Sequence, residues 1–474
     1  MDRFELRIHE FWDAVKELHL GIAQTDNQYL FSAIKKIYGD LKIYSFPSGS
    51  RVQNWEIAPN WKIEFATIKD ANGKLEILDS RFGVPYLMES AKFKIENKSN
   101  EVIYTSSSEG GAVPWHCSAG YRPWSKPLGI CIAHETLEKL SFPLEVEVVT
   151  DSKPGQMLVA EMSTGPGIRS NTVFLNAHTC HPGQFNDALI GIATISHVID
   201  TLRSKNRQLK YNYRGIFGPE HIGTVFYLNK LREQGFNFVT TSHVSIYTEM
   251  TALDNPISLQ ESLLGDSILD RLFKFLILFK TKSRIGPFRS IVGNDETVWE
   301  SVGYEVPCVS ISRVSDRKYY PSYHTNRDSL DSANLNAATE VYLLIIESIE
   351  ILEKDCIPIF TELGLLCLSS PEYSLYVPWP EPTIDKDYAE LTESKFAKIQ
   401  DVLPRFMNGQ FSCLELSIAM HIPFVELYLY LEKWCGKGLI KFVEIEGLDF
   451  YSEDKSNLLK KLTRIIRSNE IFYS

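Results

Sequence analysis

The spacing of hydrophobic and polar residues changes character along the chain. Residues 4–38 have apolar side chains at helical spacing, among them Phe11 and Val15, and this pattern predicts helices. Residues 55–150 instead contain short alternating runs, such as WKIEFATI and PLEVEVVT, separated by turn sequences. Alternation with a period of two predicts strands, so this segment is expected to be β-rich.

Residues 156–355 alternate between strand-like and helix-like patterns. The apolar runs MLVAEMS, NTVFLNA, YNYRGIF and HVSIYTE are separated by helical stretches at 188–204, 222–235 and 264–280, and a long apolar helix is predicted at 334–353. Such alternation predicts an α/β domain in which a mostly parallel sheet is flanked by helices on both faces.

The C-terminal part has a different organisation. A proline-rich stretch at 370–384 predicts a linker. After it, Ser412 is placed to cap a helix, Pro423 marks a turn before a second helix, and residues 439–452 are expected to form a β-hairpin. Together these elements predict a helix–turn–helix with a wing. Its second helix contains Glu426 and Glu432 and few basic residues, which favours docking or structural support over DNA binding.

The predicted domains follow from these changes in pattern. They are an α/β domain built from residues 1–54 and 151–368, an inserted β-rich domain at 55–150 and a winged helix at 385–474.

Composition narrows the class of protein. The 474 residues have a formal net charge of −11, which argues against nucleic-acid binding by the whole chain. The eight cysteines are far apart and no CxxC occurs, so reduced thiols are expected. We find neither a signal peptide nor an apolar stretch of about 20 residues. The sequence predicts a cytoplasmic protein without membrane contact, and a homo-oligomer is compatible with it.

The segment NTVFLNAHTCHPGQFNDALIGIA contains the densest group of possible metal ligands. A predicted strand ends at a loop with His178, His181, Asn186 and Asp187, where ligands of open α/β sheets bind. Imidazole and carboxylate groups are zinc ligands. The structural alternative is a His-Pro-Gly turn with Asp187 as a helix cap. Three candidate ligands in one loop favour a metal site.

The next strand is followed by Glu220 and His221. A metal-dependent hydrolase needs a carboxylate that takes a proton from water, and Glu220 suits that role, while His221 could bind metal. Alternatively, Glu220 complements a helix dipole. The third strand ends at Glu249, and Asp254 is a competing candidate.

Two further segments supply candidates. PSYHTNRDSLD contains His324, with Asp328 and Asp331 available to support it. RSIVGNDETVW contains Asp295 and Glu296, which are expected either to face a substrate or to form a solvated turn. In the β-rich segment, His116 lies among aromatic residues and is expected to line a pocket over the active site.

The runs AHTCHP…ND, GPE-x-IG, GNDE and YHTNRDSLD together resemble the zinc aminopeptidase superfamily with co-catalytic metals. More closely, the chain is similar to bacterial proteins with an aminopeptidase-like domain that are often encoded with polysaccharide-biosynthesis genes. These proteins have a β-rich insertion, a peptidase-like core with a mixed sheet, and a C-terminal winged helix. The resemblance covers nearly the whole chain.

The resemblance implies roles for individual residues. Asp187 would bridge two metals, and Glu220 would be the general base. His324 and Glu249 are also implied ligands, and Asp254 is the alternative to Glu249. The remaining ligand is either His178, which matches the peptidase ligand, or His181, which is more characteristic of the closer proteins. We add His221 to the metal-ligand candidates, and Tyr323 joins Asp295, Glu296 and His116 as candidates for substrate binding.

Two positions depart from the peptidase pattern. Peptidases of this type have a second acidic residue after the base, where this chain has His221, and their HxD motif reads His178-Thr179-Cys180 here. One or two zinc ions are therefore compatible with the sequence. The resemblance implies an amide-bond hydrolase acting on a peptide or an amide-bearing small substrate. The alternative is a degenerate peptidase fold that serves as a binding or regulatory module in polysaccharide biosynthesis.

Overall fold

A computed structural model describes residues 3–98, 101–106, 110–117, 120–279, 283–315, 319–378, 392–452, 459–460 and 462–463. The chain forms two compact units. The first unit comprises residues 1–265 and 282–345, and the second comprises residues 266–281 and 346–474.

The described residues form short and long strands, α-helices and a few shorter helical turns. The strands are β1 (Lys42–Pro47), β2 (Arg51–Val52), β3 (Trp55–Glu56), β4 (Asn60–Lys69), β5 (Leu75–Ile77), β6 (Ala91–Ile95), β7 (Ile103–Tyr104), β8 (Ile130–Cys131), β9 (Leu144–Lys153), β10 (Gln156–Ser163), β11 (Thr172–His178), β12 (Asn212–Gly218), β13 (Val244–Thr248), β14 (Ile257–Gln260), β15 (Ser283–Gly286), β16 (Cys308–Ser312), β17 (Cys356–Phe360) and β18 (Ile440–Glu444). The α-helices are α1 (Arg3–Val15), α2 (Asn27–Tyr38), α3 (His134–Leu137), α4 (Ile190–Ser204), α5 (Ile222–Glu233), α6 (Ile268–Leu278), α7 (Glu296–Trp299), α8 (Leu335–Lys354), α9 (Thr392–Ile399), α10 (Cys413–Met420) and α11 (Phe424–Gly436). A π-helix, Phe185–Leu189, precedes α4, and short 3-10 helices occupy Leu330–Ser332, Leu403–Phe406 and Leu448–Ser452.

The first unit is built on an eight-stranded mixed sheet with the order β1-β10-β12-β11-β13-β16-β14-β15. The central strands β12, β11, β13 and β16 are parallel, whereas β1, β10 and the β14–β16 pair join in antiparallel fashion. All seven residues of β11 are buried, as expected for a central strand covered on both faces. The predicted α/β fold with a mixed sheet flanked by helices is confirmed.

The helices bury the central sheet. Helix α4 contacts β10, β11, β12 and β13, and both α1 and α2 pack against α4. Helix α5 contacts β10 and β12. The sequence analysis did not identify the short strands β14, β15 and β16, because runs of four or five residues carry little periodic signal.

The β-rich segment forms a four-stranded antiparallel sheet with the order β5-β4-β9-β6. Its buried residues, including Trp61 and Leu144, belong to the same hydrophobic cluster as Phe174 of β11 and Tyr227 of α5. The segment therefore shares its core with the central sheet. This shared core brings its loops to the edge where β11, β12 and β13 end.

The second unit contains α6, α9, α10 and α11. Ser412 caps α10 as predicted, since its hydroxyl accepts the Glu415 N–H and the Glu415 carboxylate accepts the Ser412 N–H. The predicted β-hairpin at 439–452 does not form. Strand β18 pairs instead with β17, and residues 448–452 form a 3-10 helix.

The predicted linker lies outside the described residues from position 379 onward. Among the residues that the structure describes, no helix combines the length and apolar character needed to cross a membrane.

Gly191, at the start of α4, provides a test of the packing between this helix and β13. A Cβ atom at this position would lie 2.1 Å from the carbonyl oxygen of Thr248, which is a backbone atom and has little freedom to move. We expect Gly191→Ala to lower the free energy of unfolding by about 1–3 kcal/mol, measured by urea denaturation. Gly436→Ala is the matched control because its Cβ would meet nothing within 4 Å. Equal stability of Gly191→Ala and the parent would contradict this packing.

Candidate metal centre

Three parallel strands end beside one another and place the candidate ligands. His178 is the last residue of β11 and pairs with Gly218 at the end of β12. Glu220 follows β12, and Glu249 follows β13, which pairs with the other side of β11. Because the carboxyl ends of neighbouring parallel strands meet at one edge, three residues that are distant in sequence converge there.

Asp187 is delivered to this edge by the π-helix between β11 and α4. The Asp187 N–H donates to Asp328 Oδ2 at 3.1 Å, and the Asn186 N–H donates to Asp328 Oδ1 at 3.0 Å. Tyr320 also donates its hydroxyl to Asp328, at 2.7 Å. The Asp328 carboxylate therefore fixes the loop that presents Asp187. The sequence analysis expected Asp328 to support His324, whereas in the structure it supports the loop that carries Asp187.

The Asp187 carboxylate is shared by two groups of side chains. Its Oδ1 lies 3.7 Å from His178 Nε2, which in turn lies 3.4 Å from Glu249 Oε2. Its Oδ2 lies 2.9 Å from His181 Nε2 and 3.4 Å from His324 Nε2. Both His178–Asp187–Glu249 and His181–Asp187–His324 have ligand atoms close enough to surround one cation. The sequence left His178 and His181 as alternatives, and the structure brings both to Asp187.

The chemistry of these groups fits a bound metal ion. His178 Nε2 is buried and has no hydrogen-bond partner among the described residues, although it faces two carboxylate oxygens. A buried polar atom without a partner is costly, and a cation between it and the carboxylates would satisfy all three groups. Imidazole nitrogen and carboxylate oxygen are the donors that zinc takes in catalytic sites. The residues present therefore fit a metal of the zinc type.

Glu220 lies beside the first group without joining it. Its Oε2 is 3.9 Å from His178 Nδ1, and its Oε1 accepts a short hydrogen bond from the Tyr121 hydroxyl. The Glu220 and His324 side chains are 27% and 30% exposed, whereas those of His178, Asp187 and Glu249 are 2% exposed. Solvent therefore reaches the centre on the side of Glu220 and His324.

The ionisation of the centre reflects its crowded charges. Burial raises the pKa of Glu220, but the charge of His178 and the hydrogen bond from Tyr121 outweigh it, so the pKa is lowered and the carboxylate stays ionised. Burial raises the pKa of Glu249 to about 7 against the opposing contacts of His178. Burial lowers the pKa of His324, but its hydrogen bonds to Asp187 and Cys117 prevail and raise it to about 10.

The β-rich segment holds the loop that contains His324. The Trp115 N–H donates to the His324 carbonyl oxygen at 2.7 Å, and the Val113 N–H donates to Asn326 Oδ1 at 2.9 Å. The Trp115 ring stacks on His181 with ring centroids 5.7 Å apart. His324 itself has a φ of +52°, a strained backbone conformation that these contacts support.

The other aromatic candidates lie at different distances from the centre. Tyr323 stacks on His324 with ring centroids 3.9 Å apart, and Tyr319 stacks on Tyr323 at 4.0 Å. These stacked rings extend from His324 to the exposed Tyr319, and the substrate-binding role of Tyr323 stays a prediction. His116 stacks on Tyr104 at 3.9 Å and belongs to none of the metal-ligand groups among the described residues.

His221 and Asp295 do not occupy the places expected for them. His221 has a φ of +55°, its N–H donates to Asp295 Oδ1, and its ring contacts Trp55 and Tyr121. The other Asp295 oxygen accepts from the Thr224 hydroxyl. Within the described residues, His221 is in no group of metal ligands. Asp295 thus holds the turn after β12, and the His221 Nδ1 atom lies 3.6 Å from Asp295 Oδ1.

Glu296 also differs from its expected substrate-facing position. It is fully buried, and its Oε2 accepts the Asn294 N–H at 2.8 Å. The Asn294 side-chain amide donates to Glu249 Oε2 at 3.0 Å. The GNDE turn therefore orients the candidate ligand Glu249, because Glu296 fixes Asn294 and Asn294 fixes Glu249.

Two acidic candidates lie outside the ligand groups. Asp254, the rival of Glu249, accepts a hydrogen bond from Asn334 at 2.6 Å. Asp331 lies in the 3-10 helix Leu330–Ser332. Of the described residues, neither belongs to a group that could surround a cation. The structure therefore places Glu249, rather than Asp254, beside His178.

Sequence analysis did not predict several side chains that contact the centre, among them Tyr121, Asn294 and Cys180. Tyr121 binds Glu220, Asn294 binds Glu249, and the Cys180 thiol lies 3.1 Å from His178 Nδ1. Only Cys180 had a signal in the sequence, because it stands where the peptidase motif has a carboxylate. Tyr121 and Asn294 reach the site through tertiary contacts that spacing does not encode.

The family model described as "Domain of unknown function (DUF4910)" matches residues 15–355. The chain belongs to this family. A curated relative from Clostridium acetobutylicum, named as a candidate polysaccharide biosynthesis protein with an aminopeptidase-like domain, is 24% identical over 322 residues. That match covers 66% of this chain and 70% of the relative.

Two solved structures resemble this one in fold. A candidate peptidase of Clostridium acetobutylicum has a TM-score of 0.73 and 18% identity, and the match covers 93% of this chain and 97% of that one. A zinc aminopeptidase from Bacillus subtilis has a TM-score of 0.51 and 15% identity, with 73% and 94% covered. These similarities show an aminopeptidase-like fold and confirm the family resemblance found in the sequence.

The raised pKa of His324 gives the metal-free protein a defined pH dependence. Its pKa is about 10 in the folded state against an ordinary value of 6.5, so its protonation stabilises the fold fully below pH 6.5. This contribution is lost as the pH rises toward 10. In the presence of a chelator, we expect the free energy of unfolding to decline between pH 8 and 10. Glu249 and Asp328, with pKa values near 7, finish titrating below this window, whereas His178, whose pKa is also raised, contributes to the same decline.

The matched comparison is between His324→Gln and His9→Gln, measured by urea denaturation across the same pH range. His324→Gln should make the decline shallower, because only His178 of the two histidines with a raised pKa remains, while His9→Gln should keep the parental decline because His9 is exposed. An identical decline in the parent and His324→Gln proteins would show that protonation of His324 beside Asp187 does not stabilise the fold.

Proposed function

We propose that this protein is a metal-dependent hydrolase of an amide bond, of aminopeptidase type. The observation that supports the proposal is that each oxygen of the Asp187 carboxylate faces at least one histidine ring. Glu220 lies beside this carboxylate and next to His178. The aminopeptidase-like fold agrees with it. Zinc is the metal that best fits the donors.

On this proposal, His178, Asp187 and Glu249 hold one cation, and His181, Asp187 and His324 hold a second. Cations bound there would supply Lewis-acid chemistry, which polarises a carbonyl oxygen and lowers the pKa of water. Two ions that share Asp187 are favoured over one, because each Asp187 oxygen has its own set of partners.

Glu220 is the general base of the proposed reaction. A nearby cation would favour the ionised carboxylate, as does the hydrogen bond from Tyr121, so Glu220 can accept a proton from the attacking water and pass that proton to the leaving amine. The Tyr121 hydroxyl, which donates to Oε1, fixes the direction of the carboxylate and leaves Oε2 free for the proton. This arrangement fits a base that works beside the cation without binding it.

The substrate is a peptide or an amide-bearing small molecule. The partly exposed Glu220 and His324 border the entrance, and Tyr323 with Tyr319 offers ring faces beside it. Sugar rings and apolar side chains both pack on such faces. The name of the Clostridium relative, with its polysaccharide biosynthesis and aminopeptidase-like domain, favours an amide on a sugar or cell-surface precursor as one substrate class.

We also propose a cytoplasmic location and a division of residues 1–368 into an α/β domain and an inserted β-rich domain at 55–150. The predicted wing is not proposed again, because β18 pairs with β17.

Glu220→Gln tests the proposed base. The substitution keeps the shape of the side chain but removes its basicity, so turnover of aminoacyl 4-nitroanilides and dipeptide amides should fall by roughly 10²–10⁴-fold. The zinc content, measured by mass spectrometry of the purified protein, should stay at the parental level. The matched control is Glu233→Gln, an exposed glutamate at the end of α5, which should leave both quantities unchanged.

Two outcomes would contradict the proposal in different ways. Full turnover by Glu220→Gln would remove Glu220 as the base while leaving a metal hydrolase. Failure of the parent protein to bind zinc or another divalent metal would favour the second candidate, a degenerate peptidase fold used as a binding module. The displaced His221 and the absent carboxylate at Cys180 are the observations that favour this second candidate.

A further inference from the structure

The Cys180 thiol occupies a position between the candidate metal ligand His178 and the candidate base Glu220. Its Sγ lies 3.1 Å from His178 Nδ1 and accepts the backbone N–H of Glu220 at 3.0 Å. Cys180 is two residues beyond the end of β11, and Glu220 follows β12, so the thiol joins the loops after two neighbouring strands.

An imidazole can bind a cation through one nitrogen only when that nitrogen is free of a proton. His178 Nε2 is the nitrogen that faces Asp187 and Glu249, so the proton must then lie on Nδ1. That N–H needs an acceptor, which in metal sites is usually a carboxylate, a carbonyl or water. In this protein the sulfur of Cys180 is within hydrogen-bond distance of Nδ1.

We propose that Cys180 is a positioning residue that acts on both halves of the centre. Its sulfur accepts the His178 Nδ1–H and thereby keeps Nε2 free of a proton and directed at the cation. The same sulfur accepts the backbone N–H of Glu220 and thereby fixes the position of the Glu220 backbone. The inference rests on the proposed function, since it assigns the support of that same site. It adds a thiol in a role that a carboxylate or carbonyl commonly performs.

Direct metal ligation by Cys180 is the competing arrangement. His178, Cys180 and Glu220 also have ligand atoms close enough to surround a cation. That arrangement would use Nδ1 of His178 and would leave the buried Nε2 facing two carboxylates without a partner among the described residues. It would also make Glu220 a metal ligand, so that this carboxylate could not act as the proposed base. The positioning role satisfies Nε2, Nδ1 and the Glu220 N–H together.

His324, on the exposed side of the centre, also has a thiol partner. His324 Nε2 faces Asp187, and the His324 side chain is hydrogen-bonded to the Cys117 thiol. Thus a ligand candidate in each of the two groups that share Asp187 is supported by sulfur. The use of sulfur at Cys180 is therefore part of a wider feature of this centre.

The zinc dissociation constant of the full chain, measured by competition with a chromophoric chelator, tests the role. Loss of such a supporting partner typically weakens metal binding by about 10–100-fold, and we expect this for Cys180→Ala. Cys180→Asp should restore tight binding, because its carboxylate can accept the Nδ1–H. Cys435→Ala, at a cysteine of similar exposure in the second unit, should bind zinc like the parent. Urea denaturation with chelator present verifies that each variant is folded.

Cobalt spectroscopy separates positioning from ligation. We expect Cys180 to contribute no sulfur-to-metal charge-transfer band, so the Co²⁺-loaded parent and Cys180→Ala should have the same absorption in that region. Such a band would overturn the proposal and make Cys180 a ligand. Zinc binding by Cys180→Ala as tight as that of the parent would also overturn it.

A metal-free measurement keeps this inference separate from the proposed function. In ¹⁵N NMR of histidine-labelled protein with chelator, the His178 ring, identified by its loss in His178→Gln, should change its Nδ1 and Nε2 shifts in Cys180→Ala and not in Cys435→Ala. If the parent binds no metal, the proposed hydrolase fails, and this spectrum still tests the contact. If the parent binds zinc and the His178 ring is unaffected by Cys180→Ala, the positioning role alone fails.

Discussion

The Asp187 carboxylate is the group on which the arrangement of the centre depends. Its two oxygens face different pairs of side chains, so the direction of this one carboxylate decides whether both groups form. That direction is imposed from outside the ligands, because Asp328 accepts the backbone N–H groups of both Asn186 and Asp187. A buried carboxylate that accepts two backbone N–H groups in a π-helical turn leaves that turn little freedom. Asp328 therefore ties the loop after β11 to the loop that contains His324.

The surrounding fold maintains this arrangement through packing. Parallel pairing of β11 with β12 and β13 brings His178, Glu220 and Glu249 to one edge, and Gly191 lets α4 approach the Thr248 carbonyl directly behind them. The β-rich segment completes the site from the other direction through Trp115 and Tyr121, whose ring and hydroxyl contact His181 and Glu220. Since this segment shares its hydrophobic cluster with the central sheet, the contacts of its loops with the centre are supported by a common core.

Much of this arrangement can be predicted from the sequence, because the signals are local. Buried strands followed by polar residues are enough to predict that His178, Asp187, Glu220 and Glu249 lie near one another. The position of His221 could not be predicted, since it depends on a positive φ and on the distant Asp295. The same holds for Asn294 and Tyr121, which reach the site through tertiary contacts. In the second unit, the Ser412 cap is a local signal and was found, whereas β18 pairs with the remote β17 and the expected hairpin does not form.

The displacement of His221 and the presence of His181 are best understood together. In the zinc peptidases that the chain resembles, the residue after the base is acidic, and here the side chain at that position is held by Asp295. His181 instead approaches Asp187 Oδ2. On the proposed function, a neutral imidazole replaces a carboxylate in the group with His324, and that group has no acidic member besides the shared Asp187. The group with Glu249 retains two carboxylates, so the two cations would be bound with unequal electrostatic support. Since coulombic attraction is strong in a buried site, the His178–Asp187–Glu249 group should fill first.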